Sequence, residues 1–144
     1  MTGPATYYLE DLSVGMRDTT TATITAEMID RFAEITGDRN PIHMDDEAAR
    51  ANGFEGRIAH GALSASFISA VLGNQLPGPG GVFVELNLRF RKPALIGDEI
   101  TAVAEVAEIN ERTGKVTMKV HCEAGGVKIC RGDAGVFVQK RPAA

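Results

Sequence analysis

The chain has 144 residues, 44% of them apolar and 24% charged, which suits one soluble globular domain spanning 1–144 with one substantial core. Its net charge of −4 argues against a nucleic-acid partner and gives no basic face for a membrane. No apolar run reaches the roughly 20 residues of a membrane span, and Met1 to Glu10 lack the basic start and apolar centre of a leader, so a cytoplasmic location is expected.

In chain order, Val14 to Ile24 is a candidate edge strand. Thr25 to Thr36 reads as a helix. Thr25 can cap its start, Gly37 can take the left-handed position after its end, and Met28, Ile29, Phe32 and Ile35 form one apolar stripe. Pro41 pushes Asn40 towards extended backbone, which predicts a loop over Asp38–His43. A short helix over Asp46–Asn52, capped by Asp45 and stopped by Gly53, follows.

His60–Leu76 differs from the first helix. Its apolar residues surround the whole circumference, and none from Ala62 to Leu76 is charged. A helix of that kind, too short to cross a bilayer, belongs at the centre of a core. Pro77-Gly78-Pro79-Gly80-Gly81 ends it. Four strand-like runs come next: Val82–Phe90 with strict alternation, Ile100–Ile109, Val116–Cys122, and Val127–Val138 with a bulge expected at Gly132-Asp133. Ala124-Gly125-Gly126 joins the last two as a hairpin. Cys122 and Cys130 flank it and read as reduced, partly buried thiols; with three scattered histidines they make no zinc pattern. One uncharged helix and a meander of long strands predict an α+β architecture, an antiparallel sheet curled round that helix.

The stretch Thr36-Gly37-Asp38-Arg39-Asn40-Pro41-Ile42-His43 carries the chemistry. In a loop, Asp38 and His43 can face one spot, whereas a strand would send positions five apart to opposite faces. Such a pair can act as general base and general acid. Spacing alone leans instead to a helix stop with an Asx-turn at Asp38 or Asn40 and a surface His43. At the start of the core helix, Gly61 lets a substrate carbonyl approach an unpaired N–H at the positive helix end, an oxyanion site. Taken alone, this glycine is more simply explained by tight packing on the sheet. His60 reads as a buried structural histidine bonded to backbone. Ser66 suits close packing, and Ser69 leaves room for a substrate chain. Arg57, Arg89, Arg91 and Lys92 are candidates for carrier phosphates, though a strand edge of alternating charge is usually only solvated.

At these residues the sequence resembles the MaoC-like family of (R)-specific enoyl-CoA hydratases over roughly Leu9 to Val138. Gly37-Asp38-Arg39-Asn40-Pro41-Ile42-His43 and Arg57-Ile58-Ala59-His60-Gly61 are its most specific parts. Leu72–Gly78 and Pro93–Asp98 match family stretches too. The resemblance implies a hot-dog fold and a homodimer, with the thioester entering by a tunnel near the subunit interface. It makes Asp38 and His43 the catalytic pair and Gly61 the oxyanion donor. Ser69 matches a serine beside the pair, and Asn40 holds the loop. The implied substrate is an acyl-CoA, and no metal or other cofactor is needed. The same chemistry fits a dehydratase acting on acyl-carrier-protein thioesters. A thioesterase fits the N-P-x-H pattern less well, and a silent assembly subunit fits the retained pair less well. Acyl chain length depends on pocket depth, which Leu72 or Leu76 can set.

Overall fold

The computed structural model describes residues 7–143; residues 1–6, part of the stretch read for a leader, lie outside the described residues. After a 3₁₀ turn (Leu9–Asp11), the elements are β1 (Arg17–Thr23), α1 (Ala26–Thr36), α2 (Pro41–Met44), α3 (Asp46–Ala51), α4 (Gly61–Asn74), β2 (Gly81–Phe90), β3 (Glu99–Ile109), β4 (Lys115–Ala124) and β5 (Val127–Val138). The five strands form one sheet in the order β1-β3-β4-β5-β2, with every pairing antiparallel.

Sheet and helix meet as the residue pattern dictates. Val116, Met118, Val120 and Cys122 are buried on β4, as are Cys130, Ala134, Val136 and Val138 on β5. This inner face packs on α4, which touches β1, β2, β3 and β4. Ile68, Val71 and Leu72 of α4 complete the core. Burying so many aliphatic side chains, at about 1.5–3 kcal/mol each, is the main force that closes the sheet around the helix. The result is the hot-dog arrangement. No described helix is long and apolar enough to cross a membrane.

Four expectations change in detail. The core helix is shorter than His60–Leu76: His60 is its N-cap and Gln75 its C-cap. Asp38–His43 is not all loop, because Pro41 at the first helical position and the Asn40 side chain, which accepts from Ile42 N–H, nucleate the turn of α2. No bulge lies at Gly132-Asp133, where both ladders run in continuous register; the irregularities fall at Phe83/Glu85, Val106/Glu108 and Cys122/Glu123. Gly132 serves another end, since a Cβ there would sit 1.7 Å from the carbonyl oxygen of Asn87. Finally, the strict alternation of β2 does not bury one face. Val82, Val84 and Phe90 are 61%, 50% and 54% exposed, because β2 is an edge of the sheet with no strand beyond it.

Candidate active site

Local chemistry builds the loop that carries Asp38. Gly37 takes φ 81° and donates to Ala33 C=O at 2.8 Å, closing α1 in the left-handed region that favours glycine. Asp38 N–H donates to Thr36 Oγ1 at 3.2 Å, Asn40 N–H to Asp38 Oδ1 at 3.2 Å, and Ile42 N–H to Asn40 Oδ1 at 3.3 Å. These are consecutive side-chain turns, each satisfied within two residues. They leave Asp38 and Asn40 exposed.

His43 is held differently. It is buried, and its Nδ1 lies 2.8 Å from Ile58 C=O. A carbonyl only accepts, so Nδ1 carries a proton and Nε2 is the free ring nitrogen. Arg57 reinforces the position: its Nε donates to His43 C=O at 2.6 Å, and its Nη2 pairs with Asp30 at 2.5 Å. Beneath His43 lies His60, with ring centroids 4.0 Å apart and the planes inclined by 29°. Phe32 covers His60 from another side at 4.9 Å. His60 Nε2 donates to Asp38 C=O at 2.9 Å, and its buried Nδ1 has no partner among the described residues. His60 is thus the buried, backbone-bonded histidine expected, and it ties the loop of Asp38 to the ring of His43.

The outcome is convergence. One carboxylate oxygen of Asp38 and one ring nitrogen each of His43 and His60 lie within 4.8 Å of one another. Two hydrogen bonds to one water span about 4.5 Å, so groups no more than 4.8 Å apart are within reach of a shared solvent molecule. The same three groups are the one cluster among the described residues with metal-ligand donors. The rings of His43 and His60 are stacked, however. Their lone pairs run side by side instead of meeting at the centre a tetrahedral metal needs.

A cavity of about 280 Å³ opens beside His43, lined by Gly61, Ser64, Phe90, Arg91 and Lys92 among others. A Cβ on Gly61 would lie 3.1 Å from the Phe90 ring, a contact that the ring would have to yield to by a few tenths of an ångström. The Gly61 N–H, at the first position of α4, has no acceptor among the described residues and stands at the positive helix end. Arg91 and Lys92 line the cavity, whereas Arg89 lines a separate groove and Arg57 is engaged with His43 and Asp30. Ser69 is exposed and outside the cavity, Ser66 bonds back to Ala62 C=O, and Leu72 and Leu76 lie in the core, away from the cavity wall. Three contributors escaped the sequence reading as site residues: the Ile58 carbonyl, Phe54 and the buried Ser64. Of these, Ile58 stands inside the Arg57–Gly61 stretch, but nothing in the sequence marks its carbonyl.

Known proteins bear on this geometry. The chain is 42% identical to a 3-hydroxybutyryl-CoA dehydratase of Methylorubrum extorquens over 93% of this chain and 85% of that protein. It is 40% identical to an (R)-specific enoyl-CoA hydratase of Rhodospirillum rubrum over 94% of each. A solved structure of an (R)-hydratase from A. caviae involved in PHA biosynthesis superposes with a TM-score of 0.86 at 35% identity, covering 90% of this chain and 98% of that one. The MaoC like domain model matches residues 13–126, a stretch that holds Asp38, His43, His60 and Gly61 together. By family model and relatives alike, the chain belongs to the MaoC-like domain family.

Proposed function

We propose that the protein catalyses the reversible, (R)-specific hydration of a trans-2-enoyl-CoA to the (R)-3-hydroxyacyl-CoA, with Asp38 and His43 sharing the reacting water. The observation that carries this reading is the approach of the Asp38 carboxylate and the His43 ring to within 4.8 Å, beside an open helix N-terminus. The names of the relatives support the substrate class.

The thioester carbonyl draws electrons from the double bond, so the β-carbon accepts the water oxygen. Asp38 takes a proton from the water as that C–O bond forms. The π electrons move onto the thioester oxygen, against the Gly61 N–H and the positive end of α4. For this step His43 carries a proton on Nε2 as well as on Nδ1; it gives the Nε2 proton to the α-carbon, the carbonyl re-forms, and the proton taken up by Asp38 passes back to Nε2 to reset the pair. Water is added across the bond with no oxidation or reduction, so the proposal calls for no cofactor. In dehydration the two groups exchange roles. Oxyanion stabilisation and proton transfer each supply a few kcal/mol in sites of this type. Asn40 acts by holding the loop; Ser69, exposed and outside the cavity, takes no part in this reading.

The proposed assembly is a homodimer. The free edge of β2, with Val82, Val84 and Phe90 exposed, suits pairing with a second copy. A cytoplasmic setting fits the two free thiols, Cys122 and Cys130.

Asp38→Ala and His43→Ala are each expected to lower kcat for crotonyl-CoA at least about a hundredfold. The exposed Asp38 position should keep its melting temperature, while His43→Ala, which empties a buried and hydrogen-bonded position, should lower it and stay folded. Loss of enoyl absorbance measures the rate, and chiral analysis of the product measures the (R) assignment. Near-normal turnover in either variant removes the dyad. A wild-type protein inert towards enoyl-CoA removes the hydratase reading altogether.

A further inference from the structure

The sheet carries a second cavity on the face turned away from α4, a groove of about 990 Å³. Met118 and Val120 are buried beneath the sheet, so Lys119 and His121 of the same strand point outward. The register sets His121 opposite Arg131 and Arg131 opposite Arg89, a row of three basic side chains across β4, β5 and β2. Like charges placed directly opposite on neighbouring strands oppose folding. Neither arginine has a salt bridge or side-chain hydrogen-bond partner among the described residues, although the chain as a whole is acidic. Lys119 and Lys128 add two further charges to the lining, and Asp133, bonded to Asn87 at 3.1 Å, is its single acid. Glu105 faces Lys119 from β3, and Glu123 lies 3.6 Å from His121 at the rim. Burial first, then the Lys128 charge, lowers the His121 pKa from its usual 6.5 against the pull of Glu123.

The place of the groove gives it meaning. Arg89 lines it, while the next residues, Phe90, Arg91 and Lys92, line the His43 cavity; Lys128 lines it, while Ile129 lines the His43 cavity. The two cavities therefore lie back to back across the end of the β2–β5 ladder, where Arg91 N–H donates to Ile129 C=O at 2.8 Å. Pairing along the edge of β2 takes place in the plane of the sheet and leaves this outer face open.

We infer that the outer groove receives the nucleotide phosphates of the CoA thioester whose acyl end enters the His43 cavity. This rests on the hydratase reading above. Arg89 and Arg131 offer the paired guanidinium donors that phosphate oxygens fit. An anion between them turns a repulsive row into a bridged one. The pantetheine arm crosses the rim at Arg91 and Lys92.

The test compares crotonyl-CoA with crotonyl-pantetheine, which has the same reacting atoms and no nucleotide, in the wild type and in an Arg131→Gln/Lys128→Gln variant. Both residues are exposed, and the melting temperature reports on the fold. The expected result is a KM for crotonyl-CoA raised about tenfold, an unchanged kcat, and no change for crotonyl-pantetheine. Calorimetric binding of adenosine 3′,5′-bisphosphate should weaken in parallel. Equal changes on both thioesters, or none on either, overturn the inference. If the rise in KM appears with crotonyl-acyl carrier protein and not with crotonyl-CoA, the groove belongs to an acidic protein and the inference fails. A wild type that turns over neither small thioester refutes the hydratase reading; bisphosphate binding lost in the variant then decides the groove on its own.

Discussion

The two halves of the candidate site are held by opposite means. Asp38 sits in a run of hydrogen bonds that all close within four residues, from Gly37 back to Ala33 and from Ile42 back to Asn40. His43 depends on partners 14 and 15 residues away, Arg57 and Ile58, and on the ring of His60. The first arrangement forms from local chain geometry, while the second exists only when the core is assembled. His60 is the joint between them, since one edge of its ring bonds Asp38 C=O and one face meets His43. Asp38 and His43 are therefore tied to each other through a buried side chain outside the D-x-N-P-x-H motif.

Variants can break or sharpen this contrast. Below the dyad variants in size comes His60→Ala. Emptying that buried position should cost about 3 kcal/mol of stability and lower kcat at least about tenfold, because both ties are lost. Chemical denaturation and crotonyl-CoA kinetics measure the two. His60→Gln keeps a donor for Asp38 C=O without the stack, and partial recovery of kcat would separate tie from stack. An unchanged kcat in His60→Ala would mean that the two halves are placed independently. Arg57→Ala removes the charged donors on His43 C=O and Asp30, an expected loss of about 2 kcal/mol, with a smaller fall in kcat than His60→Ala. Gly61→Ala presses a methyl group on the Phe90 ring at 3.1 Å. A cost of about 1 kcal/mol is expected, with a fall in kcat that exceeds any rise in KM if the N–H serves the transition state. Asn40→Ala, on the local side, removes the cap of α2 for about 1 kcal/mol. Its melting shift should fall well below that of His60→Ala, and a shift larger than that of His60→Ala would reverse the contrast.

Much of this was legible because it is local. Thr25 and Gly37 bound α1 as their chemistry requires, Asp45 caps α3, and the apolar circumference of α4 marks it as the buried helix. Asp38 and His43 stand out less clearly: spacing alone leans to the side-chain turns that Asp38 and Asn40 do form and to a surface His43, and the pairing rests on the family resemblance. The charged group Arg89, Arg91 and Lys92 was less legible. Alternation suggests one continuous strand edge, but β2 ends at Phe90, where the amides of Arg91 and Lys92 both turn to Ile129 C=O. Arg89 is left on one face and its neighbours at the other cavity.

The sequence by itself determined the order of most elements, the family and the candidates Asp38 and His43, because caps, periodicity and turns act over a few residues. Only the tertiary structure decided that His43 is buried and Asp38 exposed, that His60 packs against both Phe32 and His43, and that the sheet presents a basic groove behind the pocket. Those facts depend on contacts between residues far apart in the chain, which become neighbours only when burial of the apolar face wraps the sheet around α4.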